Sequence, residues 1–316
     1  MQNTVGNAIF YAPQHGIRVL AEDGADDPLS KDNPLYEIYL KMDKLSQTVD
    51  LEDPSRTPGA LDLDALSMYS WFREQGASAD EIALFLDPSM NALVSLDASE
   101  LSSLGQLAAI KMCGGWRNMI ASNARGAQYQ RTRNGNQSLA TFLQSTLLPG
   151  TVRLSTPVST IERTESSVKV TTAKGVFTSS AIILGMGPTM YSGIRFEPPL
   201  GMVNRLSVER SFNGVYSKCI LVYDKLWWTE KGLSGTPSTP EGYTHVTFDT
   251  SDGVHPSSGD KAALAAGLSP RQYSLTAFLV GPRGAEWALL SPEDRKAAAI
   301  SEVAGAFESE DAKNPT

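Results

Sequence analysis

Apolar positions change their period partway along this chain. Between residues 61 and 148 they recur every three or four positions, and from about residue 151 they alternate, so helices are expected first and strands afterwards. The opening sixty residues read as irregular connections, "EDGADDPLSKDNP" and "DLEDPSRTPGALD", flanking one amphipathic piece, "LYEIYLKMDKL", from Leu35 to Leu45. "DLDALSMYSWFREQG" places Leu63, Leu66, Tyr69 and Phe72 on one helical face and stops at Gly76. "SADEIALFL" opens with Ser78 and Glu81 spaced as a capping box, and "DASELSSLGQLAAIKMCGG" with a second, Asp97 and Glu100. That helix ends at Gly114–Gly115, and "NQSLATFLQSTLLPG" ends before Pro149 and Gly150.

The alternating part contains "TVRLSTPVSTIER", "SSVKVTTAKG", "VFTSSAIILGMGP" and "GVYSKCILVYDKLWW", with a hairpin turn at Lys174–Gly175. "YTHVTFDTS" and "RQYSLTAFLVG" read as two later strands joined by the loop "DGVHPSSGDKAALAAGLSP". The last element, "SPEDRKAAAISEVAGAF", is a helix with Ser291 as N-cap and Pro292 in its first turn. The fold class is therefore α+β. Along "GVYSKCILVYDKLWW", Val215, Ser217, Cys219, Leu221 and Tyr223 point one way and Tyr216, Lys218, Ile220 and Val222 the other. Both faces are largely apolar, as suits a strand covered on both sides. Lys218 is the exception, either a snorkelling edge residue or a buried lysine of a working site.

Composition narrows the function classes. The chain has 316 residues, 41% hydrophobic and 20% charged, which is enough for a sizeable core in one large domain or two ordinary ones. A net charge of −8 argues against nucleic acid or an anionic membrane as partner. Two cysteines make no disulfide framework, and there is neither a signal peptide nor an apolar run long enough to span a bilayer, so the expected location is intracellular, in the cytoplasm. His15, His245 and His255 have no partners at metal-ligand spacing. Neither G-x-S-x-G nor a Cys–His signature is present, and neither G-x-G-x-x-G nor a P-loop. Three features remain: the glycine turn into a helix at "RNGNQSLATFL", whose amides suit an anion or a cofactor edge; Pro157 before Val158, which marks an edge strand; and Lys218.

Taken in order, "IKMCGGW", "AQYQRTRNGNQSLATFL", "VRLSTPVSTIERTESSVKVTTAKGVFTSSAIILGMGPTMYSGIRFEPPLG" and "GVYSKCILVYDKLWW" resemble the flavin-dependent amine oxidases, closest to the monoamine oxidase branch. The resemblance runs from about Ala109 to Phe307 and more weakly back to Leu61. Asn134 stands where the family has the first glycine of its turn, and Gly135 where it has the second, on the cofactor side. The resemblance implies FAD as cofactor and a small amine and oxygen as reactants. The amine loses hydride equivalents to flavin N5; the imine is hydrolysed to a carbonyl compound and ammonia, and oxygen becomes hydrogen peroxide. It implies that Lys218 is the catalytic lysine holding a water near N5 and that the Val158 backbone pairs with the adenine end. Gln128, Met119, Ile120, Val246 and Phe248 then face the substrate.

The resemblance also implies a domain plan. Residues 1–130 form the helical part of a substrate domain of mixed sheet plus helices. Residues 131–207 are an insert of a glutathione-reductase-like FAD-binding domain, and 208–316 are the substrate sheet and a last helix. The family's N-terminal Rossmann βαβ unit and its C-terminal FAD segment have no counterpart in the sequence, so truncation at both ends is expected. Two readings stay open: an FAD amine oxidase, or a truncated, inactive relative that acts as a binding or partner protein.

Overall fold

The structure, a computed structural model, describes residues 6–21, 35–121, 126–132, 135–251 and 272–316. The chain divides into two units, Met1–Arg133 with Gly214–Thr316, and Asn134–Asn213. The loop expected after Ser251 and the position of Asn134 in the glycine turn lie outside the described residues.

The helical part of the first unit comprises Tyr36–Ser46, Ala60–Ala65, Met68–Glu74, Ala79–Glu81, Asp87–Val94, Ser103–Met112 and Trp116–Ile120. Met42, Met68, Phe72, Leu107, Ile110 and Trp116 are fully buried together, each contributing about 1.5–3 kcal/mol from burial. Tyr39 stacks on Trp116 with ring centroids 5.8 Å apart. The expected box at Ser78 forms in full: the Ser78 hydroxyl accepts the Glu81 N–H, and the Glu81 carboxylate accepts the Ser78 N–H. Between Glu81 and Asp87 the rod widens into one π turn, Ile82–Leu86. Pro88 follows directly and has no N–H to offer a regular ladder.

Two helical expectations are corrected. "DLDALSMYSWFREQG" is two helices, because Leu66 is extended and Ser67 caps the second by accepting the Ser70 N–H. Leu66 C=O instead accepts from Ser103 N–H, and Met68 N–H donates to Leu101 C=O. Asp97–Glu100 is only a turn, in which Glu100 accepts the Asp97 N–H. The helix starts at Ser103 with Ser102 as its N-cap.

The sheet of this unit begins where loops were expected. Strand β1, Asn7–Ala12, and β2, Ile17–Ala21, form a hairpin turned through Gly16 at φ +64°. The stretch 1–130 is therefore not purely helical. The remaining strands of this sheet are β7 (Tyr216–Tyr223), β8 (Leu233–Ser238), β9 (Thr244–Asp249) and β10 (Tyr273–Val280), in the order β2-β1-β8-β9-β10-β7. Among the described strands of this sheet, only β1 and β8 pair in parallel. One face packs Leu221, Tyr223, Leu275 and Ala277 against Trp227, Trp228 and the helix Pro292–Phe307. That helix is capped by Ser291, as expected. The face of β7 that carries Lys218 and Ile220 is exposed rather than covered, and among the described strands β7 stands at the edge, beside β10.

The second unit carries β3 (Val158–Arg163), β4 (Val168–Thr172), β5 (Gly175–Ser179) and β6 (Arg195–Glu197), in the order β5-β4-β3-β6. Its bounds, Asn134–Asn213, compare with 131–207 from the sequence. β3 is interior, not an edge, because Pro157 stands just before its first residue and costs no rung of the ladder. The β4–β5 turn is Ala173–Lys174, and Gly175 at φ +136° already pairs with Thr172. Helices Gln137–Thr146 and Met202–Arg210 have no buried residue, and among the described residues of this unit only Ile161 and Val168 are buried hydrophobics.

Candidate active site on the sheet

Register decides which side chains meet. On β10, Phe278 lies opposite Lys218 of β7 on one side and opposite Val246 of β9 on the other, and in-register pairs share a face. The Lys218 Nζ sits 4.6 Å from the centre of the Phe278 ring and 5.9 Å from that of Tyr216. Phe278 also meets Tyr216 edge-on at 5.6 Å and Phe248 at 5.2 Å. One sheet face thus gathers Tyr216, Lys218, Val246, Phe248 and Phe278. An ammonium over π faces is held by the ring quadrupoles, and no ion pair involving Lys218 occurs among the described residues. Further along the same face Thr250 Oγ1 lies 2.6 Å from Thr276 Oγ1 and 3.1 Å from Ser274 Oγ.

The strand holding Phe248 is fixed from its other face. Asp249 is buried, takes the Trp228 indole N–H at 3.1 Å on Oδ2 and the Ser251 N–H at 2.9 Å on Oδ1. Arg131 reaches the Ser251 carbonyl at 3.4 Å; burial holds its guanidinium below the ordinary value, opposed by the Asp249 carboxylate.

Met119, Ile120 and Gln128 form a second group at the helix Trp116–Ile120. Gln128 Nε2 donates to the Met119 carbonyl at 3.3 Å, and its backbone N–H to Ala121 C=O at 3.1 Å. Met119 is buried and Ile120 half-buried. Among the described residues no hydrogen bond or ring contact joins this group to Lys218. Gly135 and Val158 belong to the other unit. Gly135 turns at φ +76° into the helix Gln137–Thr146 and accepts the Ser138 hydroxyl at 2.7 Å. Val158 opens β3, half-buried opposite Thr172. Among the described residues no His, Cys, Asp and Glu cluster could hold a metal, and no helix is long and apolar enough to cross a membrane.

Sequence reasoning missed Tyr216 and Phe278. Tyr216 was visible as the residue two before Lys218 on the same strand face. Phe278 becomes a neighbour only through the β7–β10 register, which no local pattern encodes.

The family profile described as flavin containing amine oxidoreductase matches residues 7–316. The chain belongs to this family. Among curated relatives, a probable flavin-containing monoamine oxidase A of Dictyostelium discoideum is 24% identical over 84% of this chain and 55% of its own length. The human amine oxidase [flavin-containing] B is 28% identical over 62% of this chain and 37% of its own. Among solved structures, a wild-type putrescine oxidase bound to putrescine superposes with a TM-score of 0.84 at 22% identity. It covers all of this chain and 66% of its own. Cyclohexylamine oxidase from Brevibacterium oxydans gives 0.82 at 22%, with the same shares. These likenesses support the α+β fold. The chain spans just over half of the Dictyostelium relative and just under two thirds of these solved structures.

Membership implies FAD. The donor set suits its ring end: Lys218 supplies a cation with no carboxylate among its described partners, bordered by the faces of Tyr216 and Phe278.

Proposed function

We propose that this oxidoreductase takes part in FAD-dependent oxidation of a small amine to an imine, which water converts to a carbonyl compound and ammonia, with oxygen reduced to hydrogen peroxide. The observation that carries the reading is the seating of the Lys218 ammonium at 4.6 Å over Phe278, on a face completed by Val246 and Phe248. Bound FAD supplies the two-electron acceptor. The protein's part is orientation and charge. Lys218 offers three donors that can hold a water at the reacting end and stabilise negative charge developing there. The apolar flank of Val246, Phe248 and Phe278 favours the neutral amine, since an ammonium loses hydration there and meets the Lys218 charge. Gln128, Met119 and Ile120 are proposed to face the substrate, and Val158 and Gly135 to contact the cofactor.

The test is direct. The purified chain is mixed with FAD, binding is followed by quenching of flavin fluorescence, and peroxide is measured on adding putrescine or cyclohexylamine. Saturable quenching and peroxide release are expected. A chain that quenches nothing and releases no peroxide overturns the reading in favour of a non-catalytic binding protein.

A further inference from the structure

Helix Asp87–Val94 ends against the start of β7. The last four carbonyls of a helix have no N–H of a following turn to accept. Here the Asn91 carbonyl takes the Ser95 N–H at 2.8 Å, and the next one, Ala92 C=O, takes the Tyr216 hydroxyl at 3.1 Å. Two glycines let the chain come this close. A Cβ on Gly214 would lie 2.7 Å from the Ser95 Cβ and 2.9 Å from the Val94 carbonyl oxygen. Gly281, at φ +62°, has no room for a Cβ beside Asn91 Oδ1, and its N–H donates to the Val215 carbonyl at 3.1 Å. The helix end thus meets the sheet at Gly214, Tyr216 and Gly281, just ahead of Lys218.

Tyr216 stands two positions before Lys218 and shares its face. The Tyr216 and Phe278 rings are set at 84° with centroids 5.6 Å apart. Lys218 Nζ rests in the corner they form, 5.9 Å from the first ring and 4.6 Å from the second. The Tyr216 side chain belongs to a residue that is 44% exposed, so packing alone does not lock its rotamer. Its hydroxyl does, by tying the ring to a helix whose Met90 is buried in the helical core.

We propose that Tyr216 is a positioning residue for Lys218. Its hydroxyl, held by the Ala92 carbonyl, fixes the aromatic corner in which the ammonium rests, and so sets where the lysine holds its water. The role rests on the reading of Lys218 given above. A lysine is a point charge on a long flexible stem, and the two π faces give that charge one place. A shift of about 1 Å at a reacting group can cost about a hundred-fold in rate.

The experiment has one readout without cofactor and one with it. Lysines of the FAD-free chain are reductively methylated with isotope-labelled formaldehyde, and the Lys218 methyl signal is assigned by its loss in Lys218→Met. Ring currents of Tyr216 and Phe278 should set this signal apart from those of the other lysines. Tyr216→Phe keeps the ring and deletes the tether, and is expected to remove at least half of that separation. Tyr216→Leu, which deletes the ring as well, should remove more. In FAD-loaded protein Tyr216→Phe should lower kcat for putrescine about three- to ten-fold, the equivalent of one lost hydrogen bond, with KM unchanged. A Lys218 signal in Tyr216→Phe that coincides with the parent's overturns the proposal. So does a moved signal with unchanged kcat, which would leave the hydroxyl a joint between helix and sheet and nothing more. If neither parent nor variant releases peroxide, the reading of the reaction falls, and the methyl signal alone decides whether Tyr216 places the lysine.

Discussion

A half-buried carboxyl and a buried imidazole in the first unit should act on stability with opposite signs. Burial raises the Asp87 carboxyl from 3.8 to about 6, with Asp97 and Glu100 adding to the rise and the Ala98 N–H and Arg283 opposing it. Burial lowers the His245 imidazole from 6.5 to about 4, helped by Arg283 and opposed by the Tyr243 carbonyl and Asp97. Between pH 3.8 and 6 the folded chain holds the Asp87 proton longer than the unfolded one. Stability from this group is full below 3.8 and is lost as pH rises through 6. His245 does the reverse: its stability is full above 6.5 and is lost as pH falls toward 4. At about 1.36 kcal/mol per pH unit, the His245 effect is about 3 kcal/mol. Asp87 is partly solvated, and screening reduces its effect to about 1.5 kcal/mol. From pH 4 to 6 the two slopes oppose each other, so the parent chain should show a shallow profile. Urea unfolding followed by tryptophan fluorescence between pH 4 and 7 reads this out. Asp87→Asn should leave stability falling steeply as pH drops, and His245→Gln should leave it falling as pH rises. Parallel profiles for all three chains would refute the reasoning.

The site gives a second prediction: in FAD-loaded protein, Lys218→Met should slow oxidative turnover at least ten-fold while flavin quenching persists. Unchanged kinetics would remove Lys218 from the mechanism. Phe278→Leu should weaken the seating of Lys218 by about 0.5–1 kcal/mol, measurable as the coupling in a double-mutant cycle with Lys218→Met. Trp228→Phe deletes the donor to buried Asp249 and should cost about 1.5–3 kcal/mol in urea unfolding. Ser78→Ala removes the capping box and should cost about 1 kcal/mol, seen as a lower unfolding midpoint.

Local chemistry was legible where it was complete within a few residues. The Ser78–Glu81 box, the Ser291 cap, the Gly114–Gly115 stop and strands β4, β7, β9 and β10 all carry their cause in neighbouring positions. Pairing partners were not legible. The β1–β2 hairpin looked like part of a loop-rich opening because its strands are short and β1 pairs with β8, more than 200 residues away. The break at Leu66 is imposed by Ser103 and Leu101, and the edge position of β7 follows from sheet order. At the site, Lys218 stood out as a cation among apolar residues, and Val246 and Phe248 were placed through family resemblance. Phe278, which touches both Lys218 and Phe248, required the register.

Helix Gln137–Thr146 turns Leu139, Phe142 and Leu143 to solvent at 58%, 66% and 62% exposure. A ten-residue helix is marginal in water, and this one gains little from its own unit, whose described interior holds two buried hydrophobic side chains. The Asn134–Asn213 unit should therefore open at a small fraction of the free energy needed to unfold the tryptophan-rich sheet core. On heating, protease sites in 134–213 should become cleavable while the fluorescence of Trp227 and Trp228 is still native, so the chain would lose its structure in two instalments.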